Sequence, residues 1–482
     1  MINVLTLLYW LVVVAAIVQV VMDNRQPAKT MAWVLVIIFV PVVGLLFYLF
    51  FGLSHRRERL ISRRSLDELS KRSMLSFVSQ HDLQVPDDYR QLADFFAAQD
   101  YAMPFKDSAV EPLTDGYAFV HALLRDIARA RHHVHICMYI IEDDALGRLV
   151  ADALIAKARC GVEVRVVYDD VGCWKVSRRF FERLRTGGVE LAPFLPVHFS
   201  AFTSKANYRN HRKVIVIDGR VGYIGGMNIA LRYVKGIPAS GSGSGADGGA
   251  TLPWRDTMLR MTGGIVYGLQ RAFLIDWYFV DRTLITNHRY YPDIPMPQNQ
   301  CIAQIVTSSP ISPWPDIMQG YVRILLGAKK YVYMETPYFL PTEPVLFAMR
   351  TAALAGVDVR LMVPRRTDAK FVEWASRSYV MQTLEAGIKI YLYKPCFNHS
   401  KLLVSDDSLC TCGSTNIDFR SFENNFEANA FFYDEAMARR MKQVFISDMQ
   451  QSTLLDDTAN LSRRPFLHRL WESLMRMLAP LL

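Results

Sequence analysis

The sequence predicts an α/β protein built from a duplicated domain, with a mixed, mostly parallel sheet in each half and a two-helix transmembrane hairpin in front. Three observations carry this reading. Two uncharged apolar runs open the chain. From about Phe105 onward, short β-branched runs alternate with helical stretches, the pattern of strands and helices in layers. Four phrases of the first half then recur, in the same order, in the second.

Ile2 to Val21 and Met31 to Gly52 carry no charge, and each is close to the roughly 20 residues a helix needs to cross a bilayer. The first run lacks the basic leader and small-x-small cleavage site of a signal peptide, and the second follows directly, so residues 1–53 read as a hairpin. Pro41 and Gly44 are tolerable in lipid beside a supporting helix. Arg56, Arg57, Arg59, Arg63 and Arg64 follow the second run, against Arg25 and Lys29 in the link. That bias puts the link outside and the bulk of the chain in the cytoplasm. Residues 54–104 then read as a basic juxtamembrane linker. The net charge of +9 suits an anionic partner, a membrane surface or nucleic acid. Seven cysteines without a Cys-x-x-Cys pair indicate reduced thiols rather than a disulfide frame or zinc site.

In the repeat, HHVHICMYII matches KKYVYMETPYF, and ARCGVEVRVVYDD around Gly161 matches LAGVDVRLMVPRR around Gly356. TGGVELAPF at Gly188 matches EAGIKIYLY at Gly387. The halves are 105–290 and 291–460, and each of these glycines reads as a helix C-cap opening a strand. The fourth match is NHRKVIVIDGRVGYIGGMNI with NHSKLLVSDDSLCTCGSTNI. Val214 to Ile217 is a buried strand by composition, and two-residue periodicity sets His211 and Lys213 on one face. A single His-x-Lys before an apolar run is ordinary surface decoration. Here His399, Lys401 and Asp406 repeat the spacing of His211, Lys213 and Asp218, while Gly413, Ser414 and Asn416 repeat Gly225, Gly226 and Asn228. The polar residues are kept while the apolar ones between them drift, which points to a site.

The doubled pattern H-x-K-x4-D-x6-G-(G/S)-x-N resembles the phospholipase D superfamily. More narrowly the chain resembles the bacterial cardiolipin synthase family, through Arg25, Pro27, Ala32, Trp33, Pro41, Gly44, Tyr48 and Gly52 in the hairpin and the phrases ETPYFLPTEP, STNIDFRSFENNFEAN and WRDT. The resemblance covers essentially the whole chain. It implies a duplicated phospholipase D-like domain that transfers a phosphatidyl group between two phosphatidylglycerol molecules, giving cardiolipin and glycerol through a phosphatidyl-histidine.

By the same resemblance His211 is the nucleophile, and His399 is first acid and then base. Lys213 and Lys401, with Asn228 and Asn416, would hold the phosphate oxygens. Asp218 and Asp406 belong to the motif and are expected to brace the fold. Glu427 in FEAN is implied as a histidine-orienting carboxylate. Asp256 in WRDT is the first-half candidate, set further along the chain from His211 by a Gly/Ser-rich loop that departs from the family pattern. No metal or cofactor is expected. The implied partners are phosphatidylglycerol and anionic membrane lipid, not nucleic acid, and the implied location is a bacterial inner membrane, multi-pass, with the catalytic part cytoplasmic. The alternative is a membrane-anchored phospholipase D that hydrolyses phospholipid to phosphatidic acid.

Two smaller signals remain. Residues 461–482 form an amphipathic helix, with Phe466, Leu467, Leu470, Trp471, Leu474 and Leu478 at helical spacing. It reads either as a core helix or as one lying at a lipid interface. His132, His133 and His135 have no partner pattern and read as structural.

Overall fold

The computed structural model describes residues 4–23, 27–40, 42–48, 52, 85–196, 207–238, 251–293, 301–455 and 465–479. The arginine run at 56–64, Arg25 and the tip of the Gly/Ser-rich loop lie outside the described residues. Helix α1 (Val4–Asp23) folds back on α2 (Pro27–Phe39) and α3 (Val43–Phe47). Val13, Val20, Ile37 and Tyr48 are buried between them, while Leu7, Leu11, Val14 and Val18 are each more than half exposed. The second apolar run is divided, and its helix stops at Phe39, just ahead of the residue that precedes Pro41, where helical geometry is disfavoured. Among the described residues no helix is long and apolar enough to cross a membrane.

The first half supplies β1 (Pro104–Leu113), β2 (His133–Met138), β3 (Glu163–Asp169), β4 (Glu190–Phe194), β5 (Val214–Ile217), β6 (Val221–Gly225) and β7 (Met258–Gly263). The second supplies β8 (Cys301–Ser308), β9 (Tyr331–Glu335), β10 (Asp358–Pro364), β11 (Lys389–Tyr393), β12 (Leu402–Ser405), β13 (Leu409–Gly413), β14 (Asn425–Phe432) and β15 (Ser452–Leu454). All fifteen belong to one 16-stranded sheet in the order β15-β11-β10-β9-β12-β13-β14-β8-β1-β7-β6-β5-β2-β3-β4, and its remaining strand, Arg209–Asn210, pairs with β14 off this path. The halves meet where β1 pairs antiparallel with β8, with Phe105 opposite Ala303.

The duplication and the mixed sheet are as expected, but the sheet is not mostly parallel. Only β2-β3-β4 and β9-β10-β11 pair parallel, and the rest of the path is antiparallel. The reason is local. The motif strands β5 and β6 are joined by Asp218, Gly219 and Arg220, and β12 and β13 by an equally tight turn, and a connection this short forces antiparallel pairing. Residues Asp218 and Gly219 take φ values of 53° and 64°, and Asp406 and Asp407 take 54° and 56°. Parallel pairs arise only where a helix crosses over. There Gly161, Gly188, Gly356 and Gly387 all end a helix with φ near 90° and open the next strand.

Helices α4 (Asp87–Asp100) and α5 (Ile265–Asp281) cover the seam between the halves. Residues 54–104 are therefore not all linker. Phe96 of α4 is fully buried, 4.6 Å from Phe431, and Asp100 accepts a hydrogen bond from the Thr307 backbone at 2.6 Å. The apolar positions of α4 are few and mixed with Asp87, Asp88, Arg90 and Asp94, which hid the helix. His133 and His135 share Gln270 of α5, and His135 stacks on Phe273 at 4.3 Å, a core role. The C-terminal helix α7 (Phe466–Met477) docks on α6 (Lys370–Glu385) through Arg476 over Tyr379 at 4.3 Å. It joins the core along one edge, through Met475. Glu472 and Met475 face inward, whereas Phe466, Leu467 and Met477 are 74%, 72% and 75% exposed.

Candidate active site

Both motifs are built alike. Asp218 closes its hairpin turn and accepts three backbone N–H groups, from Arg131, His132 and His133, at 2.8–2.9 Å. Asp406 does the same for Lys329, Lys330 and Tyr331 at 2.7–2.9 Å. Each aspartate thus ties the motif hairpin to its neighbouring strand and is turned away from the histidine. Ahead of each strand, the asparagine of Asn-His accepts a backbone N–H two residues on, Asn210 from Arg212 at 3.1 Å and Asn398 from Ser400 at 2.9 Å. His211 and Lys213 therefore sit in a tethered extended segment before β5, not on the strand itself.

Those segments cross between halves. The two-residue strand Arg209–Asn210 pairs with Asn425–Phe426, and the His211 N–H donates to the Phe426 carbonyl at 2.9 Å. Trp254–Arg255 pairs with Phe397–Asn398, and the His399 N–H donates to the Arg255 carbonyl at 2.7 Å. The carboxylates are consequently exchanged. Glu427 holds His211 Nδ1 at 3.0 Å and 3.1 Å, and Asp256 holds His399 Nδ1 at 2.7 Å. The first-half placement of Asp256 with His211 is corrected: sequence distance within a half does not measure which strand ends lie side by side. Beside each carboxylate stands the small residue of its own motif. A Cβ on Gly226 would fall 2.0 Å from Asp256, and Ser414 hydrogen-bonds Glu427.

Both imidazoles line one cavity of about 530 Å³. The Tyr139 ring meets His211 at 4.9 Å, and Trp254 lies 5.2 Å from His399. Lys213 and Lys401 are buried, and each ammonium donates to the carbonyl of its own histidine; Lys401 Nζ also lies 2.8 Å from His399 Nδ1. Asn228 and Asn416 both line the cavity, but one amide hydrogen of each is already committed, to the Tyr233 hydroxyl and to Asp418. Trp254, Arg420 and Asn425 also line it. They lie inside the phrases WRDT and STNIDFRSFENN, which were legible as family phrases but gave no role to these three.

Burial dominates the electrostatics. It pushes His399 down to about 3, with Lys401 adding to the effect and Asp256 opposing it. His211 is lowered for the same reason, with Glu427 opposing. Burial brings Lys213 to about 7 and Lys401 to about 8. Burial alone would raise both carboxyls, but His211 and Lys213 outweigh it at Glu427, and Lys401 and His399 outweigh it at Asp256, so both stay below their ordinary values. The arrangement is two neutral imidazoles with Nδ1 engaged, which leaves each Nε2 for the cavity. Such a site can perform nucleophilic substitution at a phosphorus centre with paired acid–base relay.

Two histidines on a duplicated α/β scaffold, each with a lysine two residues on and a carboxylate behind it, define the phospholipase D class of phosphoryl-centre enzymes. Residues 123–236 and 321–449 match the family model described as cardiolipin synthase, PLD-like domain, and residues 10–52 match phospholipase D-nuclease N-terminal. The chain is 37% identical over all of its length to a cardiolipin synthase of Alkalihalophilus pseudofirmus, covering 94% of that protein. It is 36% identical to the major cardiolipin synthase of Bacillus subtilis, covering 99% of this chain and 98% of the relative. Among solved structures, phosphatidylserine synthase of Haemophilus influenzae shares the fold, with a TM-score of 0.60 over 82% of this chain and 100% of that one at 14% identity. The chain belongs to the cardiolipin synthase family of the phospholipase D superfamily.

Two outcomes follow from the geometry. Glu427→Gln should lower kcat roughly 10²–10⁴-fold through His211, although the two residues lie in different halves, because an amide cannot hold the Nδ1–H tautomer; steady-state turnover checks it. For the lysines, the sign is set by depressed values. Lys213 loses its proton near pH 7 when folded but near 10.5 when unfolded. Its burial penalty is full below pH 7 and is relieved as pH rises toward 10.5, so stability rises over that window. Over the same window a positive charge beside His211 is lost, so kcat/KM toward an anionic lipid should fall. A pH series of melting temperature and kcat/KM should therefore run in opposite directions.

Proposed function

We propose that the protein joins two phosphatidylglycerol molecules into cardiolipin and releases glycerol. The observation that carries this is the pair of imidazoles from opposite halves lining one cavity, each held at Nδ1 by a carboxylate. His211 Nε2 attacks the phosphorus of the first lipid, the bond to the glycerol oxygen breaks, and His399 gives its proton to that oxygen. The incoming anion favours the protonated imidazole that this step needs, against the burial that lowers it. The 3′-side hydroxyl of a second phosphatidylglycerol then loses its proton to His399 and attacks phosphorus, the P–N bond breaks, and His211 leaves neutral. Lys213, Lys401 and the remaining amide hydrogens of Asn228 and Asn416 offset charge on the non-bridging oxygens.

The proposed setting is a bacterial inner membrane, with α1 to α3 as a membrane-inserted hairpin and the catalytic halves on the cytoplasmic side. The outward apolar side chains of α1 and the family match over residues 10–52 support insertion. The outward face of α7, with Arg469 and Arg476 on the same helix, supports a second contact with an anionic surface.

Incubation with phosphatidylglycerol alone should give cardiolipin and glycerol; phosphatidic acid in their place would indicate transfer to water. Acid-labile phosphatidyl adduct should form in the unsubstituted chain and vanish, with turnover, in His211→Ala. An adduct that persists there and disappears in His399→Ala would exchange the two roles. For α7, Trp471→Glu with Leu474→Glu in a chain lacking residues 1–53 should weaken sedimentation with phosphatidylglycerol vesicles at least about tenfold, since each large apolar side chain buried is worth about 1.5–3 kcal/mol. Unchanged sedimentation would remove α7 from the interface.

A further inference from the structure

The two halves present different surfaces to the cavity although their motifs are copies. Asn228 and Asn416 are equivalent, as are the arginines four residues on, Arg232 and Arg420. In the first half these groups are spoken for. The Asn228 carbonyl oxygen accepts the Ile140 N–H at 3.0 Å, and Arg232 pairs with Glu142 at 2.9 Å. In the second half they are not. Asn416 turns its Nδ2 to Asp418 at 2.9 Å, and Asn425 turns its Nδ2 to Glu427 at 3.2 Å. A carboxylate only accepts, so it fixes which end of each amide faces it. Among the described residues both Oδ1 atoms are buried without a hydrogen-bond partner, in side chains that are 5% and 6% exposed and line the cavity.

The cations are equally uneven. Among the described residues, the hydrogen-bond partner of Arg420 is the Asn207 carbonyl at 3.3 Å, with no carboxylate such as Arg232 has. Arg209, opposite Asn425 on the paired strands, lines the same cavity. Burial lowers the Arg209 guanidinium, with Asp169 opposing and Arg420 adding to it, so two like charges are gathered at one wall.

We propose that Arg420 and Arg209, with the Oδ1 atoms of Asn416 and Asn425, form a phosphoglycerol subsite for the head group of the second lipid, adjoining the phosphate undergoing transfer at Asn416. Guanidinium groups suit the oxygens of a phosphodiester, and unpartnered amide carbonyls suit the hydroxyls of a glycerol. This rests on the proposed transfer between two phosphatidylglycerols. In that reaction the attacking hydroxyl arrives on a three-carbon polyol that ends in a second phosphodiester. The site must hold that second anion as well as the first, and water or a simple alcohol brings none. The subsite therefore selects the acceptor rather than the donor.

The test uses the full chain in detergent micelles of phosphatidylglycerol, with two products followed together. One is cardiolipin. The other is phosphatidylglycerol carrying labelled glycerol exchanged from solution, which needs the donor site and an acceptor without phosphate. In Arg420→Gln the ratio of cardiolipin to exchange should fall at least about tenfold, the loss of one charge-assisted contact, and Arg420→Lys should recover part of it. The ratio is blind to loss of folded protein. An unaltered ratio in Arg420→Gln overturns the subsite. An unsubstituted chain that exchanges glycerol but makes no cardiolipin overturns the proposed activity and the subsite with it.

Discussion

Each motif imidazole leans on a carboxylate from the other half of the molecule. Glu427 reaches His211 and Asp256 reaches His399, and much else in the structure serves that exchange. It needs the short parallel pairs Arg209–Asn210 with Asn425–Phe426 and Trp254–Arg255 with Phe397–Asn398. Those pairs in turn need a sheet that runs through both halves without a break, which the β1–β8 pairing provides. Arg212 adds a stitch, donating to the Glu427 carbonyl at 3.0 Å and the Ser308 carbonyl at 3.2 Å. Neither half alone contains a complete histidine–carboxylate pair, so both halves are needed to build either one.

Burying two carboxylates and two ammonium groups together is costly unless they compensate each other. Here they do so across the seam. Lys401 is the largest of the influences that keep Asp256 ionised, and Glu427 supports the Lys213 charge against burial. The balance is incomplete, because both lysines remain well below their ordinary values. Burial is the cause, since it outweighs the support that Glu427 and Asp256 give the two ammonium groups.

What the sequence made legible was local. The β-branched run Val214–Ile217, the Asp-Gly turn after it and the glycines at helix ends each declare themselves within a few residues. The doubled motif picked out both histidines for the same reason. The exchange of Asp256 and Glu427 was not legible, because those partners lie 143 and 216 residues from their histidines and are brought together only by strand order. Strand direction failed likewise: a hydrophobic run reports burial, not which neighbour it pairs with. For α7 the spacing showed an apolar face but not its direction, and the structure turns Glu472 inward and Phe466 outward.

The copies also show what duplication preserved beneath the motif. In the first half Arg212 meets Asp276, and the Cys137 thiol donates to the same carboxylate at 3.4 Å. Beneath the second motif Arg255, which comes from the first half, meets Asp448 at 2.7 Å, and the place of Cys137 is taken by Glu335. Burial, and then Asp448, push the Glu335 carboxyl up to about 7, while burial raises the Cys137 thiol well above its ordinary value. A thiol that keeps its proton and a carboxyl raised to about 7 both carry less negative charge than an ordinary carboxylate. Each histidine therefore rests on a layer of one guanidinium, one carboxylate and one third group of reduced charge. The chemistry of the site tolerates drift in residue identity there because the constraint acts on charge, whereas at the histidines and lysines it acts on the atoms themselves.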